Sequence, residues 1–188
     1  MMNLPQQLTD SLQGIKGFDK EALIAAHQLP AVTSVRLNPH KASAAFADNE
    51  QVPWCVNGRY LAERPVFTVD PLYHAGAYYV QEASSMFLHH VLSSHVLAGS
   101  GLRVLDLCAA PGGKSTLIAS FLGENDLLVS NEVIRTRATI LEENMTRWGY
   151  MNTWVVSNDP KDIGRLESYF DVIVVDAPCS GSGLFRKD

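Results

Sequence analysis

The sequence has few cysteines and no long apolar run, and both shortages restrict what the protein can be. Its three cysteines, Cys55, Cys108 and Cys179, are far apart and lack metal-ligand spacing, so neither a disulfide framework nor a zinc site is predicted. No apolar stretch reaches the roughly 18 residues that a membrane helix needs. The N-terminus lacks the basic region and apolar run of a signal peptide. We therefore expect a cytoplasmic protein that uses neither a membrane nor a metal.

Positive charge is scarce as well. The chain carries 15 Lys and Arg against 20 Asp and Glu, a net charge of −5, which excludes a surface that is basic throughout. A local basic patch would still be enough for an RNA partner. With 46% apolar and 19% charged residues among 188, the composition is that of a globular protein with a buried core and one or two small domains.

The first 70 residues predict a small α+β domain. Two short helices are expected within Leu4–Gln28, separated by two glycines. Thr33–Pro39 predicts a strand, and residues 52–63, VPWCVNGRYLAE, predict a hairpin because Asn-Gly separates two strand-like runs. Residues 65–71 are expected to be extended.

From residue 71 onward strands alternate with helices, which predicts an α/β fold with a parallel sheet and right-handed crossovers. The predicted strands are RVLDL, DLLVSNE, TWVVSND and DVIVVDAP, and the predicted helices are Val80–Leu97, GKSTLIASFLG, Ile134–Gly149 and IGRLESYF. Ligands of such sheets bind beyond the carboxyl ends of the strands. No helix or further strand follows the fourth strand, so we expect the sequence to be the first part of a longer, truncated domain.

One turn, in VLDLCAAPGGKST at residues 104–116, is close to a nucleotide-triphosphate loop but departs from it at three points. The phosphate-loop pattern G-x-x-x-x-G-K-[ST] requires glycine where Cys108 stands. Pro111 removes a backbone N–H that would face phosphate. Asp106 adds a negative charge, which would repel a triphosphate and suit a cationic ligand. The turn therefore favours a ligand with a cationic end, although Asp176, after the last strand, keeps an NTPase open as an alternative.

Polar residues also follow the second and third strands. Glu132 lies 20 residues after Gly112, the spacing at which an acid accepts hydrogen bonds from ribose hydroxyls in dinucleotide folds. Asn158 and Asp159 end the third strand and can form hydrogen bonds with the polar edge of an adenine base. A ligand with an adenosine, a ribose and a cationic amino-acid end is S-adenosyl-L-methionine, which is the predicted cofactor.

Several motifs together resemble one protein family. DLCAAPGGKST, NEVIRTRATILEENMTRWG, VSND and VVDAPCSGSGLFRKD are similar to successive motifs of the Sun/RsmB/RsmF-type RNA (cytosine-5)-methyltransferases, and YYVQEASSM and SVRLNP resemble further segments of that family. The N-terminal layout resembles the bacterial RsmF-like branch, which acts on ribosomal RNA. The resemblance implies the first part of a Rossmann-like S-adenosylmethionine-dependent methyltransferase domain over residues 71–188, through the Pro-Cys motif. It also implies an RNA-contacting α+β domain over residues 1–70.

The resemblance further implies a mechanism and its residues. In the family a cysteine adds to C6 of cytosine, and C5 then takes the methyl group, which is covalent catalysis on an unstacked base. The implied catalytic residues are Cys179, which assists release of the adduct, and Asp176. The implied cofactor-binding residues are Cys108, Ala109, Ala110, Pro111, Gly112, Gly113, Lys114, Glu132, Arg137, Asp159 and Asp176. The attacking cysteine belongs to a Thr-Cys motif that does not occur in this sequence, so we expect no turnover by this chain alone.

Other polar residues have two interpretations. Arg36, Arg59 and Arg64 are either surface cations or contacts of RNA phosphate, and residues 186–187 lie in a loop expected to border the substrate. Residues 81–85, QEASS, either cap a helix or pack near the cofactor.

The expected partner is RNA of the 16S ribosomal type, bound by a monomer. Transfer RNA as substrate, a P-loop-like NTPase and a non-catalytic RNA-binding module remain as alternatives. An amino-group methyltransferase would use Asn/Asp-Pro-Pro-aromatic after the fourth strand, where this chain has Asp-Ala-Pro-Cys and therefore a thiol.

Overall fold

The computed structural model describes residues 4–95 and 101–178, which fall into two compact units. Within the described ranges, the first unit holds residues 4–32 and the second holds residues 33–178. In the part of the chain that is described, no helix has both the length and the apolar content to cross a bilayer.

The first unit contains the two predicted helices. Helix α1 spans Gln6–Ser11 and helix α2 spans Lys20–Gln28. Asp19 caps α2, because its carboxylate accepts a hydrogen bond from the Ala22 amide at 2.9 Å. The prediction of two short helices is confirmed.

The second unit begins with a three-stranded antiparallel sheet. Its strands are β1 (Thr33–Leu37), β2 (Gly58–Leu61) and β3 (Tyr78–Val80), in the order β2-β1-β3. A small core on this sheet contains Val35, Leu61, Phe67 and Tyr78. The sheet therefore has its own buried side chains, and the predicted strand at Thr33 is confirmed.

The hairpin predicted over residues 52–63 is wrong in its first arm. The Cys55 amide donates to Val52 O at 3.0 Å, which closes a turn where a strand was predicted. The Val52 amide donates to Gly58 O at 3.1 Å beside an isolated bridge between Gln51 and Arg59, whereas β2 pairs along its length with β1. Val52 and Cys55 are buried in a cluster with Met86. Packing on Met86 folds this segment inward, so the strand-like composition of the arm is overridden by its tertiary contacts.

The extended segment predicted over residues 65–71 is also wrong. Phe67–Val69 forms a 3-10 helix, and helix α3 follows at Pro71–His74. Asp70 starts α3 by accepting a hydrogen bond from the Leu72 amide at 2.8 Å. A capping aspartate followed by proline is a helix start.

The helix predicted from Val80 to Leu97 begins later. Helix α4 spans Phe87–His95, and Leu97 lies outside the described residues. The segment Tyr78–Val80 pairs with β1 as β3, with Val80 opposite Val35. Sheet pairing therefore takes Val80, and residues 81–86 form a turn-rich connection before α4 begins.

A four-stranded parallel sheet forms the rest of the unit and confirms the predicted α/β fold class. Its strands are β4 (Arg103–Asp106), β5 (Leu127–Asn131), β6 (Thr153–Val156) and β7 (Val172–Val174), in the order β6-β5-β4-β7. The helices between them are α5 (Gly113–Ala119), α6 (Arg135–Trp148) and α7 (Pro160–Ile163). The helix predicted over residues 163–170 is wrong, because Asp159 and Pro160 start α7 early and Gly164 ends it.

Helices α4, α5 and α6 pack against one face of the parallel sheet. Val104 and Leu128 are paired in register, and they share a buried cluster with Leu92, Leu117 and Leu141 from the three helices. This core fixes each helix relative to the strand before it. The connections at the carboxyl ends of the strands are thereby brought together at one edge.

Candidate functional site

The turn of residues 108–114 joins the carboxyl end of β4 to α5. The Ala109 amide donates to Asn131 O at 2.8 Å, which ties the turn to the end of β5. Gly112 has a φ of 112°, in the left-handed region, and a Cβ there would lie 3.2 Å from Leu141 Cδ1. The left-handed backbone conformation therefore favours glycine at this position, and the nearby Leu141 side chain adds to that preference.

Helix α6 holds the same turn from the other side. Arg137 Nη2 donates to Ala110 O at 2.9 Å, and Asn144 Nδ2 donates to Pro111 O at 2.7 Å. Arg137 Nη1 also lies 3.3 Å from Glu132 Oε2, and the Glu132 side chain is only 4% exposed. The structure thus joins three predicted elements, the turn, Glu132 and Arg137, in one network.

Negative charge surrounds Cys108. Burial raises the pKa of the Cys108 thiol, and the charges of Asp106, Glu132 and Asp176 raise it further, against an opposing effect of Arg137. The thiol therefore stays protonated at neutral pH and is a poor nucleophile. The same carboxylates make the site suited to a cation and unsuited to a triphosphate.

Asp106, at the end of β4, is fully buried. Ser115 Oγ donates to Asp106 Oδ2 at 2.7 Å. Burial raises the pKa of Asp106 to about 6, and the Ser115 hydrogen bond and the charge of Lys114 oppose this rise only in part. The carboxyl group is therefore mostly ionised at neutral pH and takes up a proton in mildly acidic solution.

Lys114 and Asp176 form an ion pair beside an open cleft. Lys114 Nζ lies 2.5 Å from Asp176 Oδ2, and the Asp176 side chain is 59% exposed. The cleft has a volume of about 200 Å³ and is lined by the turn, by this pair and by Tyr79 and Gln81 of the segment around β3. A ligand at the carboxyl ends of β4 and β7 would therefore meet both charges.

Asp159, another predicted site residue, does not line this cleft. Asp159 follows β6 at the same edge of the sheet, but it is exposed and caps α7, with Oδ1 accepting a hydrogen bond from the Lys161 amide at 2.8 Å. Cys179 and residues 186–187 lie outside the described residues. Among the residues that the structure describes, no group of three or more His, Cys, Asp or Glu side chains is arranged to hold a metal ion.

Sequence reasoning missed Asn131, which is fully buried at the end of β5. Its Nδ2 donates to Leu107 O at 3.2 Å and to Asn158 O at 3.1 Å, and its Oδ1 accepts from the Asn158 amide at 3.0 Å. One side chain thus ties together the ends of β4, β5 and β6. The feature of the sequence that could have indicated this role is a polar asparagine at the end of a largely apolar strand.

The suggestion that Arg36 contacts RNA phosphate is wrong. Arg36 is 1% exposed, so no external phosphate reaches it. Gln81 caps no helix, because α4 begins at Phe87 and the Gln81 side chain donates instead to Gly113 O at 3.1 Å. Of the two interpretations of Gln81, packing against the turn is the one observed.

The architecture is that of the methyltransferase class. A solved chain described as a methyltransferase homolog protein from Pyrococcus horikoshii is similar to this chain with a TM-score of 0.72 and 27% identity, covering 98% of this chain and 67% of that one. NSun6 from the same organism has a TM-score of 0.72 and 17% identity, covering 93% and 71%. The second likeness concerns the fold alone.

Sequence comparisons identify the family more closely. Residues 98–188 match the model of 16S rRNA methyltransferase RsmB/F, and residues 4–83 match the N-terminal domain of 16S rRNA methyltransferase RsmF. Ribosomal RNA small subunit methyltransferase F of Pectobacterium atrosepticum is 37% identical over 99% of this chain and 41% of its own length. The Salmonella arizonae protein of that name is 36% identical over 97% and 40%. The chain belongs to the RsmB/F family of rRNA methyltransferases, as its motifs predicted, and spans about two fifths of the length of these curated relatives.

Proposed function

We propose that this chain binds S-adenosyl-L-methionine at the turn of residues 108–114 and is the cofactor-binding part of an enzyme that methylates C5 of a cytosine in 16S-type ribosomal RNA. The observation that carries the proposal is the network joining the turn, Glu132 and Arg137. The names of the similar RsmF proteins support ribosomal RNA as the substrate. When bound, the cofactor supplies an electrophilic methyl group.

The residues present fit this cofactor in charge and in space. Asp106, Glu132 and Asp176 are close enough to Cys108 to raise the pKa of its thiol, so their charges meet at the turn. A sulfonium and an ammonium group would be stabilised there, whereas phosphates would be repelled. Gly112 adopts the positive φ of the turn without strain, so the backbone can keep the shape that a ligand would approach.

Two carboxylates are proposed to hold the nucleoside. Glu132 is the acceptor for the ribose hydroxyls, since Arg137 and the Ile134 amide, at 3.0 Å from Oε1, fix its orientation. Each carboxylate oxygen can accept a second hydrogen bond. Asp159 is the acceptor for the adenine amino group through the oxygen that does not cap α7.

The Lys114–Asp176 pair is proposed to face the reacting groups. Asp176 is more than half exposed beside the cleft, so it can accept hydrogen bonds from the amino end of the cofactor or from a cytosine amino group. Neither Cys108 nor Cys55 is the attacking thiol, because burial raises the pKa of both and Cys55 is 1% exposed. Cys179 is proposed to assist release of the base from an attacking cysteine elsewhere in the protein.

The proposal has two tests. Thermal shift of this chain with S-adenosylhomocysteine should give stabilisation that grows with ligand concentration, and Mg-ATP should give none; the reverse result would favour an NTPase. Protein from the complete reading frame that encodes this chain should then be incubated with methyl-labelled cofactor and either 16S rRNA or tRNA. Label in 5-methylcytidine of 16S rRNA is expected, and label confined to tRNA or to another nucleoside would refute the substrate assignment.

A further inference from the structure

Arg36 of β1 is a fully buried cation that no carboxylate neutralises among the described residues. Its guanidinium lies 4.6 Å from the centre of the Trp148 ring. Burial lowers the pKa of Arg36 to about 10, so the group remains charged at neutral pH. A buried charge persists only where hydrogen bonds replace its water.

Those hydrogen bonds lead to the start of α5. Arg36 Nε donates to Gln81 Oε1 at 2.8 Å, and Nη2 donates to Thr116 Oγ1 at 2.6 Å and to Gly113 O at 3.3 Å. Nη1 has Thr116 O at 3.4 Å and Ser120 Oγ at 3.5 Å as acceptors. Because a guanidinium has five N–H groups, every donor of Arg36 has an acceptor, and most of these acceptors belong to α5.

The same contacts fix two carbonyls of the turn. Gly113 O accepts from Arg36 and also from Gln81 Nε2 at 3.1 Å. The Thr116 hydroxyl, which accepts from Arg36, donates onward to Gly112 O at 2.7 Å. Movement of the turn would therefore leave donors of a buried cation without partners, which is costly.

We propose that Arg36 and Gln81 are positioning residues that hold the carbonyls of Gly112 and Gly113 and so set the shape of the cofactor turn from the antiparallel sheet. The role in binding rests on the proposed function, whereas the role in ordering the turn does not. The planar fork of arginine suits this task, since one rigid group reaches Gln81, Thr116 and Gly113 at once. Lysine, with a single ammonium, cannot hold the three acceptors in that geometry.

The binding test compares variants by calorimetry with S-adenosylhomocysteine. Arg36→Met is expected to weaken binding by about tenfold, the order of effect seen when a residue that orients metal ligands is removed. Arg59→Met is the matched control, since Arg59 lies on the neighbouring strand β2 and its Nη1 donates to Val56 O and Gly58 O instead. Gln81→Glu keeps an acceptor for Arg36 and places a negative oxygen against Gly113 O. It is expected to retain or raise the unfolding temperature while binding weakens.

Hydrogen exchange of the ligand-free chain separates positioning from general stability. The measured quantity is the exchange rate of amides 112–116 divided by the exchange rate of amides 128–130. Amides 128–130 lie in β5 and report opening of the core. This ratio should rise in Arg36→Met and Gln81→Glu, and it should stay near the wild-type value in Val35→Ala, which removes buried volume from β1 away from the turn. Equal ratios in Arg36→Met and Val35→Ala would overturn the proposal. If the wild type binds no S-adenosylhomocysteine, the proposed function fails, and the exchange ratio still decides the positioning role.

Discussion

Replacing Glu132 by Gln should weaken cofactor binding strongly and leave the fold nearly unchanged. Hydrogen bonds to a charged acceptor contribute about 1.5–3 kcal/mol, so their loss corresponds to a rise in Kd of about tenfold to 150-fold. The structure favours the full effect, because Glu132 is oriented by Arg137 and the Ile134 amide before any ligand arrives. Calorimetric titration with S-adenosylhomocysteine measures the change.

The stability of the Glu132→Gln variant provides the control. Arg137 is 45% exposed and keeps its hydrogen bond to Ala110 O, so losing the ion pair should lower the free energy of unfolding by about 1 kcal/mol or less. Glu143→Gln makes the same change at an exposed site on α6 and should leave affinity unaltered. A Kd of Glu132→Gln within about twofold of the wild-type value is a smaller change than the loss of one such hydrogen bond would cause. That result would refute the assignment of Glu132 to the ribose.

Two further predictions concern the turn and its buried carboxyl group. Because the pKa of Asp106 is raised to about 6 in the folded chain, above the unfolded value near 4, its contribution to stability is greatest below about pH 4 and is lost as the pH rises through about 6. The free energy of unfolding of the wild type relative to Asp106→Asn should therefore fall by roughly 2–3 kcal/mol between about pH 4 and pH 7. Urea denaturation of both proteins at several pH values measures this difference, and a difference that does not change with pH would contradict the prediction. Gly112→Ala should lower the free energy of unfolding by about 1–3 kcal/mol, because a Cβ at this positive φ is strained and meets Leu141. Gly123→Ala, whose Cβ would meet only Asp126 at 3.6 Å, should change it little, and equal losses in these two variants would show that the turn imposes no such constraint.

The parallel sheet was predictable because strands and helices have different apolar spacings. The alternation from residue 101 onward predicted β4 to β7 in the right places, and Gly149, with a φ of 88°, ends α6 as expected. The errors have identifiable causes. Val52 and Cys55 turn inward to pack with Met86, a contact that local composition does not reveal. Asp159 and Pro160, in contrast, are a helix-start signal that the sequence itself contains.

The candidate site was only partly predictable for a related reason. Glu132 and Arg137 come to the turn because the carboxyl ends of neighbouring parallel strands meet at one edge, which follows from topology. Arg36 reaches Gly113 across 77 residues of sequence, and no spacing rule links a strand of one sheet to a turn of another. Both sequence interpretations of Arg36, as a surface cation or as a contact of RNA phosphate, therefore placed it on the surface, and only the fold shows that it is buried beneath the turn.

The central claim is that the turn of residues 108–114 and the segment of residues 132–137 form one cofactor site. Hydrogen exchange of the chain with saturating S-adenosylhomocysteine tests it most directly, since bound ligand slows the exchange of the amides that it orders. New protection is expected at residues 108–116 and 132–137, with none from Mg-ATP under the same conditions. Protection by S-adenosylhomocysteine that spares both segments, or equal protection of them by Mg-ATP, would contradict the account.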